Sequence, residues 1–300
     1  MDNDREIIEL LMKMISLRNG VPKFLWGPML GFSQNGKHSV LIRKFFSEAL
    51  ENIIKKKEVA GLGKSELEGS MDVLDRLMRS PEKFNEEELN SEIIGLFMAG
   101  HETTSNSITS CILEIARNPN IAKKIFAEIQ VILGTAIDTA DLEVGNESLH
   151  HFKYLDKVIR ESLRLHSVVP FITARIAQES VEVLGYTFPK GTPFMVSPTH
   201  VHLDAKNWKD PLCFDPDRWD NEDISSTLFI PFGSGPHNCP GTILGNSGQK
   251  MAIIEMKVIL IHLIRKYELE LVVNQDLTFV YTVTYGLKNG LKMLITPRCK

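Results

Sequence analysis

Pro231-Phe-Gly-Ser-Gly-Pro-His-Asn-Cys-Pro-Gly241 crowds glycines and prolines around a single cysteine. Gly233 and Gly235 allow backbone conformations and close approaches that a Cβ would block, so main-chain N–H groups can turn toward the sulfur. A cysteine in such a setting can act as a thiolate ligand or a nucleophile. The same eleven residues can also be read as a tight surface loop carrying an incidental cysteine.

Outward from this loop, the first half of the chain is helical in pattern. Apolar residues recur at spacings of three and four over 4–17, 38–58, 71–79, 86–117 and 119–133, with Gly, Pro or Asn at the breaks. Pro22, Pro28, Gly31 and Gly36 mark a connection after the first helix, and 60–70 (AGLGKSELEGS) reads as a mobile surface loop. The helix over 86–117 has Asn85 as N-cap and Glu86, Glu87 and Glu88 in its first turn, and it stops before Asn118-Pro119. A further helix is expected over 151–165. From residue 172 short β-like runs take over, VEVLGYTF, TPFMVS, TFVYTVTY and LKMLIT, punctuated by PKG and KNG turns. A helix over 249–266 precedes the last hairpin. With no repeat and no clear boundary, 1–300 reads as a single domain, mainly α with small β-sheets.

Composition narrows the function classes. At 43% hydrophobic and 24% charged the chain is ordinary for a globular protein, and a net charge of -4 offers no basic surplus for nucleic acid. Cys111, Cys213, Cys239 and Cys299 are far apart and form no C-x-x-C pair, which argues against a zinc ribbon or a dense disulfide framework and fits a reducing compartment. The opening MDNDREIIELL is acidic and amphipathic rather than signal-like, and the apolar stretch 251–264 is too short to span a bilayer and carries Glu255, Lys257 and His262, so no membrane anchor is expected. His200 and His202 alternate, a spacing that on a strand would put both on one face as a conceivable metal pair, without a third ligand nearby.

Inside the long helix, Ala99-Gly100-His101-Glu102-Thr103-Thr104 joins a small pair to an acid and two hydroxyls. A mid-helix glycine costs about 1 kcal/mol against alanine, and close approach of a flat ligand is one reason to keep it. A polar helix face with an incidental glycine is the other reading. His101, one step on from Gly100, points elsewhere and is not expected to be a ligand. Glu161 and Arg164 lie three apart on one helical face, and Phe214-Asp-Pro-Asp-Arg218-Trp219 follows later.

Together these motifs resemble the cytochrome P450 family of haem-thiolate monooxygenases. The loop is similar to the family's F-G-x-G-x-x-x-C-x-G pattern in Phe232, Gly233, Gly235, Cys239 and Gly241, and AGHETT is similar to its A-G-x-E-T-T signature. The resemblance implies Cys239 as the proximal thiolate on the iron of haem b, with Ala99 and Gly100 leaving room for dioxygen on the other face. Thr103 would hydrogen-bond the oxygen ligand, and Glu102 would help deliver protons through water. Arg175 sits where the family places a haem-propionate partner. His237 replaces the usual arginine at another such position and is only partly charged near neutral pH. The pair Glu161 and Arg164 would interlock with Arg218 as a structural network behind the cysteine loop. Residues 171–176 and 280–286 fall where such enzymes line their substrate pocket.

The implied function is insertion of one oxygen atom from O2 into an apolar small molecule, with electrons from an NADPH-dependent reductase. Eukaryotic relatives are usually bound to the endoplasmic reticulum. Two departures bear on this. The region that precedes the first helix in the family is not seen, so the expected fold is that of a cytochrome P450 lacking its N-terminal helices and part of its β lobe. Residues 242–248 (TILGNSG) read as an insertion between the cysteine and the helix that the family runs directly into. The competing reading is a catalytically inactive remnant, or an incomplete gene product, that does not bind haem.

Overall fold

The computed structural model describes residues 34–59, 72–80, 83–134, 145–172, 175–220, 224–242, 251–281 and 283–298. The helix expected over 4–17, the loop at 60–70, the cysteine at 299 and nearly all of the 242–248 segment lie outside them. Contacts between Cα atoms divide the chain into two units, Met1–His101 and Glu102–Lys300.

In the first unit, helix α1 (Gln34–Val59) begins earlier than its apolar spacing suggests and takes in Gly36, a residue type that otherwise marks a connection. Helix α2 (Val73–Met78) is closed by a capping box in which Asp72 and Asp75 each accept the other's backbone N–H, at 3.0 and 3.1 Å. Helix α3 (Glu86–Arg117) opens in the same way. Asn85 Oδ1 accepts from Glu88 N at 2.9 Å and Glu88 Oε2 accepts from Asn85 N at 2.8 Å, as an Asn85 cap requires. Phe46 and Leu50 of α1 and Leu74 of α2 are buried, and Phe46 packs edge-on against Phe97.

In the second unit, the last turns of α3 pack with α4 (Pro119–Leu133), the short α5 (Asn146–Leu149), α6 (Lys153–Leu165) and α8 (Met251–Lys266). Their apolar stripes meet in one core that includes Cys111, Ile115, Ile125, Ile129, Phe152, Leu155, Ile159, Leu260 and Ile264. Each side chain of that size contributes about 1.5–3 kcal/mol when fully buried. Helix α6 has no side-chain cap of its own, so Glu128 of α4 supplies one from outside, accepting from Tyr154 N at 2.6 Å and Leu155 N at 2.9 Å. Lys257 of α8 is fully buried, yet its ammonium is paired with Asp156 of α6 at 2.9 Å and donates to Leu149 O at 2.9 Å.

Among the described residues the β part consists of four antiparallel pairs. Strand β1 (Arg175–Ile176) pairs with β4 (Pro193–Phe194), and β2 (Val181–Val183) pairs with β3 (Tyr186–Phe188) across a Leu184-Gly185 turn with φ of 52° and 80°. Strand β5 (Tyr267–Leu271) pairs with β8 (Met293–Pro297), and β6 (Phe279–Tyr281) with β7 (Tyr285–Leu287). The segment holding His200 and His202 corrects the sequence reading. It is a helix, α7 (Pro198–Leu203), with Ser197 as N-cap and Pro198 in its first turn, not a strand.

Candidate active site

The cysteine loop is built by its glycines. Gly233 and Gly235 have φ of 74° and 79°, in the left-handed region where a side chain is strained. Those two conformations reverse the chain, and Cys239 N then donates to Phe232 O at 2.9 Å, closing the loop with the sulfur at its end. Gly233 N donates to Ile230 O at 3.1 Å and Asn238 N to Gly235 O at 3.2 Å. Cys239 and Phe232 are half-buried, while His237 is exposed. A Cβ at Gly241 would sit 3.5 Å from Cys239 Sγ, an ordinary contact distance. A short 3₁₀ turn, Pro240–Thr242, follows the cysteine.

Behind the loop stands a buried charge network. Glu161 and Arg164 are both fully buried and form a bidentate pair, Arg164 Nε to Glu161 Oε2 at 2.9 Å and Nη2 to Oε1 at 2.8 Å. Arg218 Nε donates to Glu161 Oε1 at 2.8 Å, Trp219 Nε1 to Oε2 at 3.0 Å, and Asp215 N to Oε1 at 3.0 Å. Arg164 also donates to the carbonyls of His202, Pro211 and Cys213 at 2.9, 2.7 and 3.2 Å. Trp219 packs edge-on against Phe229 at 4.6 Å, just before the cysteine loop. The structure thus brings Glu161, Arg164 and Arg218 together as the family resemblance implied.

Two partners in this region were missed. His202 is fully buried, with Nδ1 2.8 Å from Ser167 Oγ and Nε2 2.9 Å from Ile230 N. His200 is exposed, and its ring nitrogen Nδ1 lies 2.8 Å from Oγ of its own N-cap, Ser197. Two residues apart on a helix, the histidines point in different directions, which removes the metal-pair reading. The overlooked signal was Ser197-Pro198, a helix N-terminus.

Helix α3 is unbroken from Glu86 to Arg117. Glu102 is half-buried, and its Oε2 is buried without a hydrogen-bond partner among the described residues. A carboxylate oxygen left in that state calls for water or a ligand group beside it. Thr103 is half-buried as well. Along this stretch Ser105 Oγ donates to Glu102 O at 3.1 Å and Ser107 Oγ to Thr103 O at 2.8 Å. Ala99 and Gly100 are exposed and belong to the first unit, and a Cβ at Gly100 would meet no atom within 4 Å. Packing among the described residues therefore gives no reason for that glycine. His101 stacks on Phe97 with ring centroids 5.7 Å apart. Arg175 is exposed on β1.

A single protein sulfur on a tight glycine loop suits an iron whose other ligands come from a macrocycle, and the orphaned Glu102 oxygen suits a site that admits a small oxygen ligand. The residues present fit haem on both counts.

The chain matches the family described as cytochrome P450 over residues 2–288. It is 33% identical over 245 residues to probable cytochrome P450 4d20 of Drosophila melanogaster, covering 79% of this chain and 46% of that protein. It is 31% identical over 256 residues to (S)-N-methylcoclaurine 3'-hydroxylase isozyme 1 of Eschscholzia californica, covering 80% and 49%. The chain spans about half the length of these curated relatives. Among solved structures, a cyanobacterial CYP120A1 with retinoic acid bound superposes with a TM-score of 0.73 at 26% identity, covering 88% of this chain and 58% of that one. The motifs, the fold and the extent of the match lead to one conclusion: the chain belongs to the cytochrome P450 family.

Proposed function

We propose that this chain carries a haem-thiolate monooxygenase site in which Cys239 ligates the iron of haem b through Sγ. The observation that carries the reading is the loop itself, with left-handed Gly233 and Gly235 and the Cys239 amide closed onto Phe232 O. When bound, the haem supplies reductive activation of dioxygen and insertion of one oxygen atom into an apolar small molecule, with electrons from an NADPH-dependent reductase. The protein's share is positioning and proton handling. Gly233 and Gly235 hold the left-handed backbone that reverses the loop, and Gly241 spares the sulfur a Cβ that would lie 3.5 Å from it. Arg175 and His237 would be the partners of the porphyrin carboxylates. Glu102 would hold a proton at Oε2 and pass it on through water, and Thr103 would present its hydroxyl to dioxygen. No helix among the described residues is long and apolar enough to cross a membrane.

The test is to load the purified chain with haem, reduce it, add carbon monoxide and record the spectrum. A red-shifted thiolate-type Soret band that Cys239→Ser abolishes is the expected result. Its absence from the unaltered chain would overturn the proposal and leave kinship without activity.

A further inference from the structure

We propose that His202 is a positioning residue that ties the cysteine loop to helix α6 and so sets where the Cys239 sulfur sits. Its ring is fully buried and attached on both sides. Nε2 faces Ile230 N at 2.9 Å, and an amide N–H can only donate, so Nε2 is the bare acceptor nitrogen. The ring proton is therefore on Nδ1, which donates to Ser167 Oγ at 2.8 Å, while the Ser167 hydroxyl faces Leu163 O of α6 at 3.5 Å. The His202 main chain is held separately, its carbonyl accepting from Arg164 Nη1 at 2.9 Å.

From Ile230 the connection runs into the loop. Ile230 O accepts from Gly233 N at 3.1 Å, and Phe232 O, two residues on, accepts from Cys239 N at 2.9 Å. An aromatic path runs beside the polar one, since the His202 ring lies 5.5 Å from Phe229, which packs on Trp219, itself bonded to Glu161. The imidazole thus accepts from the backbone leading into the loop while its other nitrogen is held just beyond the end of α6. A histidine that merely filled the core would not tie its effect to residues 230–239.

The proposal is tested first on the haem-free chain by amide hydrogen exchange. His202→Leu leaves the Ile230 N–H and Ser167 Oγ without partners, and exchange at Ile230 and Cys239 is expected to accelerate about tenfold or more while helix α6 keeps its protection. His202→Gln keeps an acceptor near the Nε2 position and is expected to stay within about threefold of the unaltered chain. If the leucine variant does not fold, Ser167→Ala takes its place, with a smaller acceleration expected at the same two amides. Unchanged exchange at Ile230 and Cys239, equal acceleration throughout α6, or no rescue by glutamine would each overturn the role. The second arm rests on the haem-thiolate reading. In the loaded chain the leucine variant should convert the thiolate-type carbonyl spectrum to a non-thiolate one, and glutamine should preserve it. Failure of the unaltered chain to give that spectrum removes the haem reading alone, because the exchange arm decides the role of His202 without haem.

Discussion

Replacing Glu161 by glutamine is the most searching perturbation of this fold. The two carboxylate oxygens accept from Arg164 Nε and Nη2, Arg218 Nε, Trp219 Nε1 and Asp215 N, all between 2.8 and 3.0 Å. Glutamine keeps the volume but removes the negative charge and turns one acceptor into a donor. At least one N–H of that set then faces another N–H, and the fully buried Arg164 guanidinium loses its counter-charge. Removing one partner of a buried pair typically costs 3–5 kcal/mol, against a total stability of about 5–15 kcal/mol for a domain. Glu161→Gln should therefore lower the unfolding midpoint by about 10 °C, at roughly 2–4 °C per kcal/mol for a unit of this size. Urea unfolding followed through the fluorescence of Trp208 and Trp219, which lie 5.7 Å apart beside the network, reads the change where it arises. Pairing Glu161→Gln with Arg218→Gln should cost less than the two single changes added, because both report on one interaction. A loss below about 1 kcal/mol in the single variant, or strict additivity in the pair, would show that the carboxylate is not the hub that its geometry describes.

Two other outcomes are open to measurement. Burial, and after it the charge of Arg164, lower the His202 pKa from 6.5 to about 4, so between those values the unfolded chain binds a proton that the folded ring refuses. Stability must then fall as the pH drops through that window, by about 3 kcal/mol in all. Glu114 adds loss in the same direction on further acidification. Burial alone would raise its pKa, but the hydrogen bonds and charges of His166 and Arg117 hold it below the usual carboxylate range. Urea unfolding across pH 4 to 7 should show the slope, and His202→Gln should flatten it; an unaltered slope in that variant would contradict the assignment. At Gly286 a Cβ would lie 2.6 Å from Asn106 Oδ1, whose amide donates to Thr284 Oγ1 at 3.0 Å. Gly286→Ala should accordingly destabilise by about 1–3 kcal/mol, with much of the loss recovered in the Gly286→Ala, Asn106→Ala double variant. Thermal melts of the three proteins decide this, and a silent single variant would refute it.

What the sequence determined by itself was local. Helices α3 and α4 end where the apolar period, the Asn85 cap and Asn118-Pro119 said they would, because each of those signals acts within about one turn. The glycines of the cysteine loop and the three-residue spacing of Glu161 and Arg164 were legible for the same reason. Strand β5 shows where locality fails. Tyr267-Glu-Leu-Glu-Leu271 alternates as a strand should, but it follows α8 without a breaker, and only pairing with β8 marks it as a separate element. Tertiary structure alone decided that Glu128 caps α6, that Arg164 reaches the carbonyls of 202, 211 and 213, and that the His202 ring faces Ile230 rather than a metal. Those partners are tens of residues apart, and nothing short of the packed core brings them within hydrogen-bond reach. A buried polar group must find a partner, yet the sequence does not say which one packing will place beside it.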